Sequence, residues 1–249
     1  MIELSTDDRL LARYLARLDG PACAREDAPP VAASEQDRDA ARYAWALRAV
    51  DEYRSVVVFG ELLALLAREE APLACTVAVQ QLLADELRHT RLCLGALARV
   101  DPACRPRLDL AGLGLPPSDA APLAFAFEVI VREIVVAEAE SVVVLRAYRD
   151  ATTDPFVRGV LQELLRDEVR HAAAGRSLAT ALARVVPAQQ LAHMRASLAP
   201  RVAADIRGLR SDYRDSTRGG PGRALGASLV PSDLGALPDY RGIDWCWTP

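Results

Sequence analysis

Two copies of one pentapeptide constrain this chain more than any other feature. They are Asp85-Glu86-Leu87-Arg88-His89 and Asp167-Glu168-Val169-Arg170-His171. Each places a Glu three residues before a His inside a long helix-forming stretch. A helix turns once in about 3.6 residues, so positions three apart share a face. The carboxylate and the imidazole therefore project together, as ligands of one metal ion must. The chain has only 3 histidines in 249 residues, and two of them stand in these repeats. The third, His193, lies outside the pattern and is read as incidental.

A second repeat supplies further candidates. Glu52-Tyr53-Arg54-Ser55-Val56-Val57-Val58 and Glu138-Ala139-Glu140-Ser141-Val142-Val143-Val144 both read Glu-x-x-Ser-Val-Val-Val. The chain thus reads as a duplicated helix pair. In an antiparallel hairpin, residues equidistant from the turn sit side by side. The midpoint of Glu52 and Glu86 is position 69, and that of Glu138 and Glu168 is position 153, both at expected turns. Glu52 and Glu138 are therefore expected to reach the Glu-x-x-His pairs. Their apolar flanks favour burial, and a buried carboxylate needs a partner. Glu61 lies half a revolution away from Glu52, and Glu140 faces away from Glu138. Four carboxylates and two imidazoles suit two iron ions or, alternatively, manganese. Structural zinc prefers closed sites of Cys and His.

Residues beside these ligands have expected roles too. A metal-bound His usually gives its other ring N–H to a carboxylate. Asp85 and Asp167 stand at matching positions to accept it across the helix pair, with Arg88 and Arg170 neutralising them. The bland alternative makes these aspartates surface partners of the many arginines. Ser55 and Ser141, one turn from Glu52 and Glu138, are candidates for proton transfer or for bonding a bound water. The competing reading has each bond the backbone one turn back. Cys93 and its counterpart Gly175 are small residues one turn beyond the histidines, fit either for a substrate pocket or for close packing. Trp45 reads as core, and Tyr53 points to another face.

The coarse layout is helical throughout. A short helix over 6–18 is followed by a linker over 20–34 with Pro29-Pro30. Long helices are expected over about 35–70, 72–100, 119–150 and 155–185. Pro72 suits a first helical turn, Ser118 or Asp119 a cap, and Asp154 another cap. Residues 101–117, rich in Pro and Gly, form a long crossover. A fifth helix is expected over 188–214, interrupted at Pro200, before an irregular tail. The organisation is therefore an N-terminal segment (1–34), a helical domain (35–186) and a C-terminal helix with tail (187–249).

Composition agrees with an all-α chain. Apolar residues make up 51% but aromatics only 5%, and every basic side chain is Arg. The formal net charge of −4 gives no basic footprint for nucleic acid. Cys23, Cys75, Cys93, Cys104 and Cys246 lack metal-binding or paired spacing. With no signal-peptide layout, they point to a reducing cytoplasm. No charge-free apolar run is long enough to span a membrane.

The doubled Asp-Glu-x-Arg-His resembles the ligand motif of the ferritin-like di-iron carboxylate superfamily, especially its oxygenase and oxidase branch, and loosely the rubrerythrins. The resemblance covers about residues 40–185. It implies a four-helix bundle with one long crossover, in which Glu52, Glu86, His89, Glu138, Glu168 and His171 hold two irons. It also implies O2 as co-substrate, a small organic substrate and an external electron donor, and it leaves a homodimer open. The chain is far shorter than the monooxygenase hydroxylases and lacks the rubredoxin-like cysteines of full rubrerythrins. The expected function is oxidation of a small organic substrate by activated O2. The alternative is ferritin- or rubrerythrin-like iron oxidation or peroxide removal.

Overall fold

A computed structural model describes residues 2–3, 35–108, 112–152 and 154–201. The expected 6–18 helix, the 20–34 linker and the tail beyond 201 lie outside the described residues. The described chain is mostly helical. Helix α1 spans Glu35–Arg68, α2 Leu73–Val100, α3 Pro122–Val129, α4 Ala137–Ala151 and α5 Pro155–Ala183. A π-helical stretch, Ile130–Val136, joins α3 to α4, and residues 188–201 form α6. Two short strands, β1 (Ile2–Glu3) and β2 (Arg107–Leu108), pair antiparallel and tie the chain start to the crossover.

Local chemistry sets the helix ends. Helix α1 stops where Glu70 takes a left-handed φ of 53°. The Ala71 N–H then donates to the Leu66 carbonyl at 3.1 Å, closing the helix end. Pro72 falls just before α2 as its cap residue, one position earlier than expected. Neither Ser118 nor Asp119 caps α3. That helix starts at Pro122, after Ala121. A residue before proline is driven out of the helical region, so the helix cannot begin upstream. Ser118 instead accepts from the Ala120 N–H at 3.2 Å in the preceding turn. Asp154 caps α5, accepting from the Phe156 and Val157 N–H groups at 2.8 and 3.0 Å.

The third expected helix is not continuous. Through Ile130–Val136 the backbone bonds widen, and the Ala137 N–H donates five residues back to Arg132. The wide turn lies against Gly175 of α5. A Cβ there would stand 2.9 Å from Ile134 Cγ2 and 3.1 Å from the Ile134 carbonyl carbon. Gly175 is therefore a close-packing residue. Helix α6 is still helical at Pro200 and Arg201, its last described residues.

The long helices pack antiparallel. Arg42 reaches Asp101 between α1 and α2, and Arg149 reaches Gln162 between α4 and α5. The apolar core has two parts. One gathers Phe59, Leu62, Phe127, Ile130, Ile134 and Leu182, and includes Leu191, Met194 and Leu198 of α6. The other gathers Trp45, Ala49, Cys93, Leu97, Leu145 and Leu161. Glu61 faces the crossover, where its carboxylate accepts from the Leu115 N–H at 2.6 Å. No described helix is long and apolar enough to cross a membrane.

Candidate metal centre

Between the two apolar regions lies a polar layer, with Glu52, Glu86, His89, Glu138, Asp167, Glu168 and His171 all buried. In sequence each ligand candidate falls between residues of the two cores. Glu52 stands between Ala49 and Val58, and His89 between Leu82 and Cys93. The helices thus carry the six ligand candidates inward, with Asp167 beside them.

The geometry is nearly two-fold. His89 Nδ1 lies 3.5 Å from Glu52 Oε2, 3.7 Å from Glu86 Oε2 and 3.7 Å from Glu168 Oε1. His171 Nδ1 lies 3.1 Å from Glu86 Oε1, 3.9 Å from Glu138 Oε1 and 3.3 Å from Glu168 Oε2. Glu86 and Glu168 therefore each turn one oxygen to either histidine, while Glu52 serves the His89 side and Glu138 the His171 side. The imidazole centroids are 5.4 Å apart.

Each outward ring nitrogen meets the aspartate of the other motif copy. His89 Nε2 lies 3.3 Å from Asp167 Oδ2, and His171 Nε2 lies 3.2 Å from Asp85 Oδ2. A carboxylate at Nε2 holds the proton there and leaves the Nδ1 lone pair for a metal. Arg88 pairs with Asp167 across the helices and sits 3.5 Å from Asp85. Arg170 also pairs with Asp167, here along its own helix, and stands 3.5 Å from Asp85 across the helices, so both arginines favour the same aspartate.

The residues fit a metal. Glu86 Oε1, Glu168 Oε2 and both Nδ1 atoms are buried without a hydrogen-bond partner. Buried polar atoms rarely stay unsatisfied, and these converge on one space. Glu86, Glu138, Glu168 and His171 form one group able to hold an ion; Glu52, His89 and Glu168 form another, and Glu86, His89 and His171 a third. The donors are oxygen and imidazole nitrogen, with no thiolate, a set suited to iron or manganese.

Without a cation, the cluster must share protons. Burial pushes the Glu138 carboxyl well up, reinforced by Glu168, Glu86 and Glu52. Burial opposes a charged His89, but Glu86 and Glu52 outweigh it and raise its pKa to about 9. His171 is likewise raised against burial, by Asp85, Glu168 and Glu86, to about 11. Burial would raise Asp85, yet His171 holds it down at about 2. Imidazolium charge thus stands where metal charge would.

The two serines part company. Ser55 Oγ donates to the Asp51 carbonyl at 3.4 Å, back along its own helix. Ser141 Oγ accepts from Arg48 at 3.4 Å. Arg48 itself escaped the sequence reading. Its Nε lies 2.5 Å from Glu52 Oε1 and a terminal nitrogen 3.7 Å from Glu168 Oε1. The available signal was an Arg four residues before Glu52, on the same helix face. Comparison with family models, curated proteins and solved structures returns no significant match for this chain.

Proposed function

We propose that this chain is a ferritin-like four-helix bundle that holds two iron ions, with manganese as the alternative, and oxidises a small organic substrate with O2. The observation that carries this reading is the shared use of Glu86 and Glu168. Each turns one oxygen toward each histidine nitrogen. Carboxylates so placed would hold two ions, and such a pair would supply O2 chemistry. Iron held there would supply the electrons for O2 chemistry, with an external donor as their source.

The chain's own residues do the rest. Asp167 and Asp85 orient the two imidazoles and keep their Nε2 protons in place. Glu52 and Glu138 each complete one side. Three or four protein donors per ion leave room for an outside ligand. The apolar layers above and below exclude bulk water and favour an apolar or amphipathic substrate.

The test is elemental analysis after anaerobic ferrous loading, followed by absorbance on admitting O2. About two irons per chain, with an optical change and one organic product in a substrate screen, is the expected result. Rapid oxidation of many irons per chain would favour iron handling instead. Absence of metal, or zinc alone with no response to O2, overturns the reading.

A further inference from the structure

Arg48 has no counterpart in the other half of the duplication: four residues before Glu138 stands Ile134. Its Nε lies 2.5 Å from Glu52 Oε1, while the other oxygen, Oε2, faces His89 Nδ1 at 3.5 Å. A terminal nitrogen lies 3.7 Å from Glu168 Oε1, the oxygen turned toward His89. Arg48 thus engages two of the carboxylate oxygens on the His89 side. Its contact with Ser141 Oγ at 3.4 Å ties the guanidinium to α4. Nε and Glu52 Oε1 are both buried and lack hydrogen-bond geometry with each other or any other group. The pair is held by charge, and charge can be exchanged for a stronger cation.

The donor sets differ in the same sense. Glu86, Glu138, Glu168 and His171 converge as four on one side; Glu52, His89 and Glu168 converge as three on the other. A divalent cation entering the three-residue group must take Glu52 from Arg48 and then stand near a fixed positive charge. Like charges at such range repel, and the Arg48 side chain is only 21% exposed, so solvent screens the repulsion in part. A cation entering the four-residue group meets no such competitor on Glu138, whose main electrostatic neighbour is Glu168.

We propose that Arg48 makes the centre load in order. The Glu86–Glu138–Glu168–His171 group fills first, and the Glu52–His89–Glu168 group fills second, when Glu52 exchanges Arg48 for metal. This inference rests on the two-metal reading above and adds to it an unequal pair of sites and the residue responsible. Arg48 is a positioning residue: it acts on the metal through Glu52.

The experiment is titration of the metal-free full chain with Mn2+, reading free ion by electron paramagnetic resonance and the fold by circular dichroism. The expected result is two ions bound in two steps, at least about tenfold apart in affinity. Arg48→Met should tighten the second step about tenfold or more and leave the first unchanged. Arg48→Lys, which keeps the charge, should preserve the separation. Glu138→Gln should weaken the tighter step and Glu52→Gln the weaker one. Equal affinities in the wild-type chain would overturn the proposal while leaving the two-metal reading intact. So would unchanged steps in Arg48→Met, or loss of the tighter step in Glu52→Gln. If Arg48→Met does not fold, the wild-type, Arg48→Lys and Glu52→Gln isotherms still decide. A chain that binds no ion sinks both readings together.

Discussion

The two halves of the duplication hold the same ligands by different means. In the α1–α2 half, Glu52 comes from an unbroken helix, an arginine stands one turn before it, and Cys93 follows His89 by one turn. In the other half, Glu138 follows a π-helical turn, Ile134 replaces the arginine, and Gly175 stands where Cys93 does. The outer aspartates differ as well. Asp167 is fully buried among Arg88, Arg166 and Arg170, whereas the Asp85 side chain is 28% exposed. The candidate ligand positions match between the halves, and the supporting residues differ wherever the helices pack differently.

That contrast is tested hardest by removing ligands of different reach. Glu168→Ala takes a donor from both sides, so elemental analysis should find both ions lost. Glu52→Ala takes a donor from the His89 side alone and should leave about one ion per chain. One ion held tightly by Glu168→Ala would show that its two oxygens do not serve both sides.

The aspartates come next. Asp167→Asn and Asp85→Asn each weaken the grip on one imidazole, which should cost about 10- to 100-fold in metal affinity. Their stability costs should diverge. Asp167→Asn removes a fully buried carboxylate from between Arg88, Arg166 and Arg170 and should lose about 3 kcal/mol in chemical denaturation. Asp85→Asn, at the wetter end, should lose about 1 kcal/mol. Equal losses would remove the asymmetry between the two ends.

The metal-free and metal-bound forms should separate with pH. In the metal-free chain His89 and His171 are raised above the ordinary histidine value, to about 9 and about 11. A group whose folded pKa is raised stabilises the fold fully below its unfolded pKa, about 6.5 for His. That contribution fades as pH rises through 9 and then 11. The metal-free melting temperature should therefore fall from about pH 6.5 upward, while the loaded protein, whose imidazoles carry metal instead of protons, should hold its value. Metal uptake at neutral pH should also release protons, so affinity should climb with pH. A metal-free melting temperature that is flat between pH 6.5 and 9 would contradict the imidazolium cluster.

Much of this was legible in the sequence because helices are strictly periodic. Glu86 with His89, and Glu168 with His171, follow from a spacing of three, and Glu52 and Glu138 from a second repeat and a symmetry about two turns. The division of labour among the carboxylates was not legible, because it depends on which way each oxygen turns. Arg48 was missed although its spacing to Glu52 is a plain helix pair; a search confined to the repeats passes over the residue that breaks them. The cap of α3 was misplaced because Ser118 and Asp119 are good caps, and the geometry enforced by Pro122 prevailed. The π turn had no local signal at all. Its wide backbone is matched to a glycine about forty positions later, a contact that only the packed helices create.

Two helical glycines sharpen that last point, with the smallest expected effects. Gly60 of α1 would place a Cβ 3.6 Å from Leu83 Cδ1, an ordinary contact. Gly60→Ala should therefore stabilise the chain by about 1 kcal/mol, the helix-propensity gain alone. Gly175→Ala earns the same gain and meets Ile134 Cγ2 at 2.9 Å and the π-turn backbone at 3.1 Å. Overpacking of that kind costs about 1–3 kcal/mol, so the net change should be a loss of about 1 kcal/mol. The two substitutions are chemically identical and opposite in sign. If Gly175→Ala also stabilised, the π turn would not need the glycine. Its presence before Glu138 would then have to come from Ile130–Val136 themselves.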